Sequence, residues 1–383
     1  MSLNIGYFNE ELTKLNRTGL RLFHIAVFLL PTAPFISSFI FILSLLFSEN
    51  NNPIRFAKER TNKIFIFIAL LMILSCIFNY FDSTNIISKK LHSLPFVSLL
   101  NWLPFFWSFW GFQPYLASHK NRKIVAKLLV AGTIPVIFSG FLQYFFGITG
   151  PFETLKGLII WYQRPLSITD GLTGPFNNAN YAGSWLAIVW PFSIYFFTSN
   201  KRVSKKIITT IICILFVVSI LLTNSRNSWI GMFISAQIIF GFETIFLIIP
   251  LLIVAFFILT IFISLISPET KEFFINFLPI NIFNNFPDNS MSLNTAFPRL
   301  EIWKFSIESI LKRPFLGWGG GSFPILYETF KDKWYGHPHN ILFEIAINYG
   351  ILTAFIITTT IFKYLRQFYE VIKYHSSFKI NEE

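Results

Sequence analysis

Long apolar runs alternate along this chain with short polar connections. A helix needs about 20 apolar residues to cross the hydrocarbon core of a bilayer. Runs of that order occupy residues 64–81, 94–116, 124–146, 181–198, 206–223, 228–242, 245–267 and 340–362. An earlier stretch, residues 22–47, is interrupted by Pro31 and Pro34, so it is either one kinked span or a hairpin of two short ones. The expected fold is an all-α integral membrane protein of about ten transmembrane helices with one large loop between the last two.

Orientation follows from the connections. Arg55, Lys58, Arg60 and Lys63 fall in one, Lys120, Arg122 and Lys123 in a second, and Lys201, Arg202, Lys205 and Lys206 in a third. Basic connections stay cytoplasmic, which sends residues 147–180, 224–227 and 268–339 to the opposite side. The tail with Lys363, Arg366, Lys373 and Lys379 then returns inside. Reading residues 22–47 as a hairpin also puts Lys14, Arg17 and Arg21 on the cytoplasmic side, which favours ten spans over nine. The expected organisation is a helix bundle over 1–267, an outer loop over 268–339, and a last span with a cytoplasmic tail over 340–383. Within the loop, Leu300, Trp303, Ile307, Ile310 and Leu311 recur at helical spacing while Glu301, Lys304, Glu308 and Lys312 fall elsewhere. This predicts an amphipathic helix over 299–313 that can lie on a bilayer surface, ended by Pro314.

Composition agrees with the pattern. The chain is 53% hydrophobic and 13% charged, with a mean hydropathy of +0.56, more apolar surface than a soluble core can bury. Its 49 phenylalanines are a bias and form no repeat of fixed period. The net charge of +12 would raise nucleic-acid binding in a soluble protein, but the cations sit in short clusters between apolar runs, so no nucleic-acid partner is expected. Cys76 and Cys213, each inside an apolar run, suit neither a disulfide framework nor a zinc spacing. The first apolar run lacks a small-residue cleavage site and reads as a retained span.

Candidate chemistry concentrates on the outer side. Asn178 or Asn180 can cap the helix that follows Gly174-Pro175-Phe176-Asn177, giving a simple capped turn or an N-terminus that favours an anion. Arg226, in the minimal turn Ser225-Arg226-Asn227-Ser228, either snorkels to headgroups or meets an anionic partner. Arg299 opens the amphipathic helix. The run Gly317-Trp318-Gly319-Gly320-Gly321-Ser322 fails the dinucleotide pattern and reads as a turn that ends a helix or lets backbone approach a ligand. His337 and His339 flank Pro338 at the start of the last span. They lack a third metal ligand, since His24, His92 and His119 lie elsewhere and His375 is cytoplasmic, so no metal and no cofactor are expected. A histidine there either caps a helix or serves as a base near neutral pH. Neither a nucleotide-phosphate loop, nor paired carboxylates, nor a Gly-x-Ser-x-Gly elbow is present. What remains is two arginines and a histidine at an interface, a set suited to holding a diphosphate and deprotonating a hydroxyl.

Several segments together resemble the O-antigen ligase and polymerase superfamily: Gly174-Pro-Phe-Asn-Asn-Ala-Asn-Tyr-Ala182, Asn224-Ser-Arg-Asn-Ser-Trp229, Arg299-Leu-Glu-Ile-Trp303, Pro314-Phe-Leu-Gly-Trp-Gly319 and His337-Pro-His-Asn-Ile-Leu-Phe-Glu344. The resemblance extends over roughly residues 94–362. It implies a multi-pass protein of the bacterial inner membrane, with its active face in the periplasm. Such an enzyme moves a glycan from a polyprenyl diphosphate carrier to an acceptor hydroxyl, on lipid A core or a growing polysaccharide. By analogy Arg226 and Arg299 bind the carrier diphosphate, His339 orients or deprotonates the acceptor, and Asn178, Asn180, His337 and Arg164 line the substrate site. Partners implied are the lipid-linked glycan, the glycolipid or glycan acceptor, and membrane lipids. The family pattern also continues with two spans beyond the one that begins at Asn340, where this chain has a polar tail after Phe362. Ligase and polymerase share these residues. Some members of the superfamily are described as bicarbonate transporters, which should carry ionisable sites near the midplane, and the shorter C-terminus would also suit an inactive assembly partner.

Overall fold

The structure, a computed structural model, describes residues 14–82, 93–167, 170–241 and 298–380. The expected span at 245–267, the first part of the large loop and His92 lie outside the described residues. The helices are α1 (Lys14–Leu29), α2 (Pro34–Leu46), α3 (Pro53–Lys58), α4 (Arg60–Phe81), α5 (Leu94–Ser98), α6 (Leu103–Gly111), α7 (Gln113–Leu116) and α8 (His119–Phe146). A two-stranded antiparallel hairpin, β1 (Phe152–Thr154) with β2 (Ile159–Trp161), follows. Then come α9 (Ala179–Ser199), α10 (Val203–Leu222), α11 (Arg226–Phe240), α12 (Pro298–Lys312), α13 (Ser322–Lys331), α14 (Ile341–Tyr349) and α15 (Ile351–Ile380). The chain is therefore mostly helical, and the hairpin is a small departure from the expected all-α fold. Its contacts divide it into two compact units, residues 1–51 with 112–286 and residues 52–111 with 287–383.

In the first unit, residues 22–47 resolve as the hairpin reading. Ser37 Oγ donates to the Ala26 carbonyl at 2.8 Å and Ser44 Oγ to the Gly19 carbonyl at 2.9 Å, so α2 runs antiparallel to α1. Pro34 occupies the first turn of α2, where a missing N–H leaves no hydrogen bond unmade. The remaining helices form an antiparallel bundle. Trp185 Nε1 of α9 donates to Thr133 Oγ1 of α8 at 2.9 Å, and Trp190 Nε1 donates to the Met232 carbonyl of α11 at 3.3 Å. Val130, Ile137, Leu186, Val189, Phe216 and Ile220 form its core. The outer face of α10 leaves Ile207, Ile211 and Ile214 more than half exposed, which in water would be an unfavourable apolar patch.

The second unit packs α4 against the chain after Pro298. Ile68, Met72 and Cys76 of α4 are buried with Ile302 and Phe305 of α12, Trp318, Phe323 and Leu326 around α13, and Ile345 and Tyr349 of α14. The amphipathic helix is present as α12, but its packed face differs from the expected one. Ile302, Phe305, Ser306, Ser309 and Ile310 are buried, while Leu300, Ile307 and Leu311 of the predicted stripe are about half or more exposed. The helix thus has one apolar face used inside the unit and another left uncovered.

Among the described residues three helices are long and apolar enough to cross a membrane: Arg60–Phe81, His119–Phe146 and Val203–Leu222. Two expected spans are corrected. Residues 94–116 are not one helix but α5, a 3-10 turn at Leu99–Asn101, α6 and α7. Pro95, Pro104 and Pro114 each fall in the first turn of one of these short helices, where a missing N–H leaves no hydrogen bond unmade. Residues 340–362 divide between α14 and α15 at Gly350. This glycine has φ +88, a Cβ there would lie 1.9 Å from the Phe315 carbonyl oxygen, and the next N–H, of Ile351, donates to the Pro314 carbonyl at 2.8 Å. The helix α15 then runs past Phe362 to Ile380. Gly350→Ala should cost at least about 1–3 kcal/mol, the usual penalty for backbone held in a sparsely populated region. It should appear as a lowered thermal midpoint in detergent, and an unchanged midpoint would mean that the break is not required.

Candidate functional site

The candidate residues of the first unit gather at one end of its bundle. Because α8, α9, α10 and α11 alternate in direction, the last turn of α8 and the starts of α9 and α11 share an end, and the basic segments 119–123 and 201–206 lie at the other. The segment between α8 and α9 is stitched down there by Gln143. Its Oε1 accepts from the N–H groups of Thr173 and Gly174 at 3.0 and 2.9 Å, and its Nε2 donates to the Arg164 carbonyl and Thr173 Oγ1 at 2.7 and 2.8 Å. Asn178 caps α9, its Oδ1 accepting from Asn180 N–H at 2.7 Å, and leaves the Asn180 side chain exposed. Arg226 is the first residue of α11. Asn224, at φ +53, turns the chain, and Ser228 Oγ donates to Ser225 Oγ at 2.9 Å beneath it. The Arg226 side chain is exposed, with no carboxylate in ion-pair range among the described residues.

Arg164 is differently placed. It pairs with Asp170 at 3.0 Å, and Asp170 also accepts from Ser167 N–H and Oγ. The Ser167 backbone N–H, then the Ser167 hydroxyl and the Arg164 charge, hold the Asp170 carboxyl below its ordinary pKa against the opposing effect of burial. Asp170 lines a cleft of about 660 Å³ whose wall also includes Gln143, Tyr144, Gly147, Pro165 and Ser167. Arg164 is not part of that wall, and its charge is already matched by Asp170.

The second unit brings Arg299, His337 and His339 together. Asn340 caps α14, its Oδ1 accepting from Leu342 N–H at 2.9 Å and Phe343 N–H at 3.4 Å. His339 immediately before it takes φ +54, a conformation uncommon outside glycine. The turn is clamped by α12: Trp303 Nε1 donates to the buried Pro338 carbonyl at 3.1 Å, and the Trp303 ring meets Phe343 edge-on. Arg299 lies one helical turn before Trp303 on the same face of α12. The His337 and His339 rings are 4.4 Å apart. Partial burial, then the neighbouring His337 and then the Arg299 charge, lower the His339 pKa below 6.5. His339 is thus neutral at pH 7 and able to accept a proton. Among the described residues no group of three metal-ligating side chains surrounds the histidine pair.

Two groups of this unit were not singled out in the sequence. Glu344, one turn into α14, accepts from Asn348 Nδ2 at 2.9 Å through Oε1, while its Oε2 is buried without a hydrogen-bond partner. Its place at the end of the His337–Glu344 segment is the signal the sequence carries for it. Arg313 is locked: it pairs with Asp82 at 2.7 Å, donates to Asn79 Oδ1 at 3.0 Å and lies 4.4 Å over the Trp318 ring. The glycine run serves the same packing. Trp318 and Gly319 N–H groups donate to the carbonyls of Ile347 and Asn348 at 2.7 and 3.0 Å, so the close backbone approach is to α14.

Comparison with known proteins agrees with the motifs. Residues 211–358, which contain Arg226, Arg299, His337 and His339, match the family described as O-antigen ligase. The chain is also 33% identical over 85 residues to a protein of Rickettsia conorii (strain ATCC VR-613 / Malish 7) named "Putative polysaccharide ligase". That match covers 19% of this chain and 20% of the relative, so it spans about a fifth of the relative's length. No solved structure matches the chain. The chain resembles the O-antigen ligase family, and the resemblance falls on the segment that holds its free arginines and its histidine turn.

Two measurements test this electrostatic reading. In a histidine NMR titration, His339 should protonate with a midpoint below 6.5, and Arg299→Ala should move that midpoint upward; a wild-type midpoint at or above 6.5 would contradict it. Asp82→Asn, which strands the Arg313 charge in a site only about a fifth exposed, should destabilise by about 1–3 kcal/mol. Arg299→Ala should change stability by less than about 0.5 kcal/mol, and equal losses in the two variants would show that Arg299 is structural too.

Proposed function

We propose that this protein is a membrane glycosyltransferase of the O-antigen ligase kind, moving a glycan from a polyprenyl diphosphate carrier to an acceptor hydroxyl. The observation that carries the reading is the clamped His-Pro-His turn, which holds a neutral imidazole beside the unpaired Arg299 at the start of α14. The acceptor oxygen attacks the anomeric carbon of the glycan, and the bond from that carbon to the diphosphate oxygen breaks. His339 takes the hydroxyl proton, and polyprenyl diphosphate leaves. Arg226 and Arg299 hold the diphosphate and stabilise the charge that grows on it, as charge-assisted hydrogen bonds do in a partly desolvated site. Asn178, Asn180, His337 and Arg164 contribute to substrate placement.

The face of action is the outer one, in the periplasm of an inner-membrane protein with about ten spans. Support comes from the separation within the first unit of Arg226 and Asn180 from the basic end, which the positive-inside bias assigns to the cytoplasm. Whether the acceptor is lipid A core or another polysaccharide chain distinguishes ligase from polymerase and is read from the product.

The test is transfer of a polyprenyl-diphosphate-linked glycan to both acceptor types by purified protein in lipid. His339→Ala should lower the rate by about 10²–10⁴, the range for a lost general base. Arg226→Ala and Arg299→Ala should lower it by at least about 10², as for a lost charge-stabilising donor. Wild-type rates in any of the three would remove that residue from the mechanism, and no transfer by the wild type to either acceptor would reject the activity.

A further inference from the structure

A cleft of about 510 Å³ opens among α8, α9 and α10 at the end of the first unit away from Arg226 and Asn178. Its lining is graded along all three helices. On α8 it begins with Lys123 and Lys127 and continues with Val130 and Ile134; on α10 it begins with Lys205 and continues with Ile208 and Ile212. The antiparallel α9 brings Ser199 and Asn200 to the lysine end and Phe196 further in. The alignment is fixed by contacts: Lys123 Nζ lies 6.0 Å from the Tyr195 ring centroid, and Lys206 Nζ lies 5.7 Å from that of Phe197. One end of the cleft is therefore cationic, and the remainder is mostly apolar, with Ser193 and Thr209 as its uncharged polar groups.

The charge is unbalanced by the protein. Residues 119–146, 179–199 and 203–222 contain no Asp or Glu, and none of the three lysines pairs with a carboxylate among the described residues. Lys123 and Lys127 are four residues apart on one face, where like charges repel. Lys127 sits about 12 Å along the helix from His119, at 1.5 Å per residue, and the helix turns apolar beyond it. A lysine so placed needs an anion or a route for its ammonium to water. A soluble anion would leave the apolar length of the cleft empty, whereas an amphiphile with a phosphate head fills both parts.

We propose that this cleft binds an anionic glycerophospholipid, with Lys123, Lys127 and Lys205 on the headgroup phosphate and an acyl chain along Val130, Ile134, Ile208 and Ile212. Basic pockets between helices on the positive side of membrane proteins take such headgroups. The bilayer supplies this ligand in excess, and the site is independent of the glycan-transfer reading.

The experiment is native mass spectrometry of the full, delipidated chain in detergent, titrated separately with phosphatidylglycerol, phosphatidylcholine and a polyprenyl monophosphate. Phosphatidylglycerol should bind more tightly than either of the others. The K123Q/K127Q/K205Q variant should bind it roughly 100-fold more weakly, for three lysines contributing near the surface. Ile134→Trp, which fills the apolar part and leaves the lysines in place, should also weaken it, and this second variant decides the matter if the triple one does not fold. Equal binding of phosphatidylglycerol and phosphatidylcholine, wild-type binding by both variants, or preference for the polyprenyl monophosphate would overturn the proposal.

Discussion

Hydrocarbon offers a backbone nothing to hydrogen-bond with, so the places where the chain leaves a helix beside apolar neighbours need protein partners. Two such places are closed by a buried side-chain amide. Gln143 satisfies four groups at once where the segment after β2 meets α8. In the second unit, Asn348 Oδ1 accepts from the N–H and Oγ of Ser322, and its carbonyl accepts from Ser75 Oγ and Gly319 N–H. Together these fasten the glycine run between α4 and α14. Irregular backbone of this kind persists beside apolar helices only when protein groups take the place of water.

The same fastening sorts the arginines. Arg313 and Arg164 each have a carboxylate partner, and Arg313 has an amide and an indole face as well, so their charges are spent on position. Arg226 and Arg299 stand exposed at the first turns of α11 and α12, where they have no acidic neighbour in range among the described residues. Of these four arginines, Arg226 and Arg299 are therefore the two whose charge no carboxylate of the described residues matches.

Much of the fold was legible because an apolar run of a given length has few alternatives: the helices from Arg60, His119 and Val203 begin within about a turn of where hydropathy starts them. Over residues 94–116 hydropathy shows one run where the prolines start three short helices, and the Gly350 break is hidden because a glycine in an apolar run signals nothing until its φ is known. The packed face of α12 was missed for a different reason. That helix carries two apolar faces, and periodicity alone picks out the one with the larger side chains. The site was legible where its chemistry is local, as in the His337–Asn340 turn. It is not legible where a residue's availability depends on a distant partner: nothing local in the sequence distinguishes Arg313 from Arg299, and the difference is made by Asp82, over two hundred residues earlier. Glu344 was passed over because a lone carboxylate in an apolar segment carries no pattern.

The break at Gly350 also decides which side chains share a core. Ile345, Ile347 and Tyr349 of α14 are buried together with Ala354 and Ile357 of α15. A straight helix presents one line of side chains to a neighbour, whereas the corner folds the faces on either side of it onto the same cluster. The segment that follows the histidine turn is thereby anchored from both sides of a single glycine.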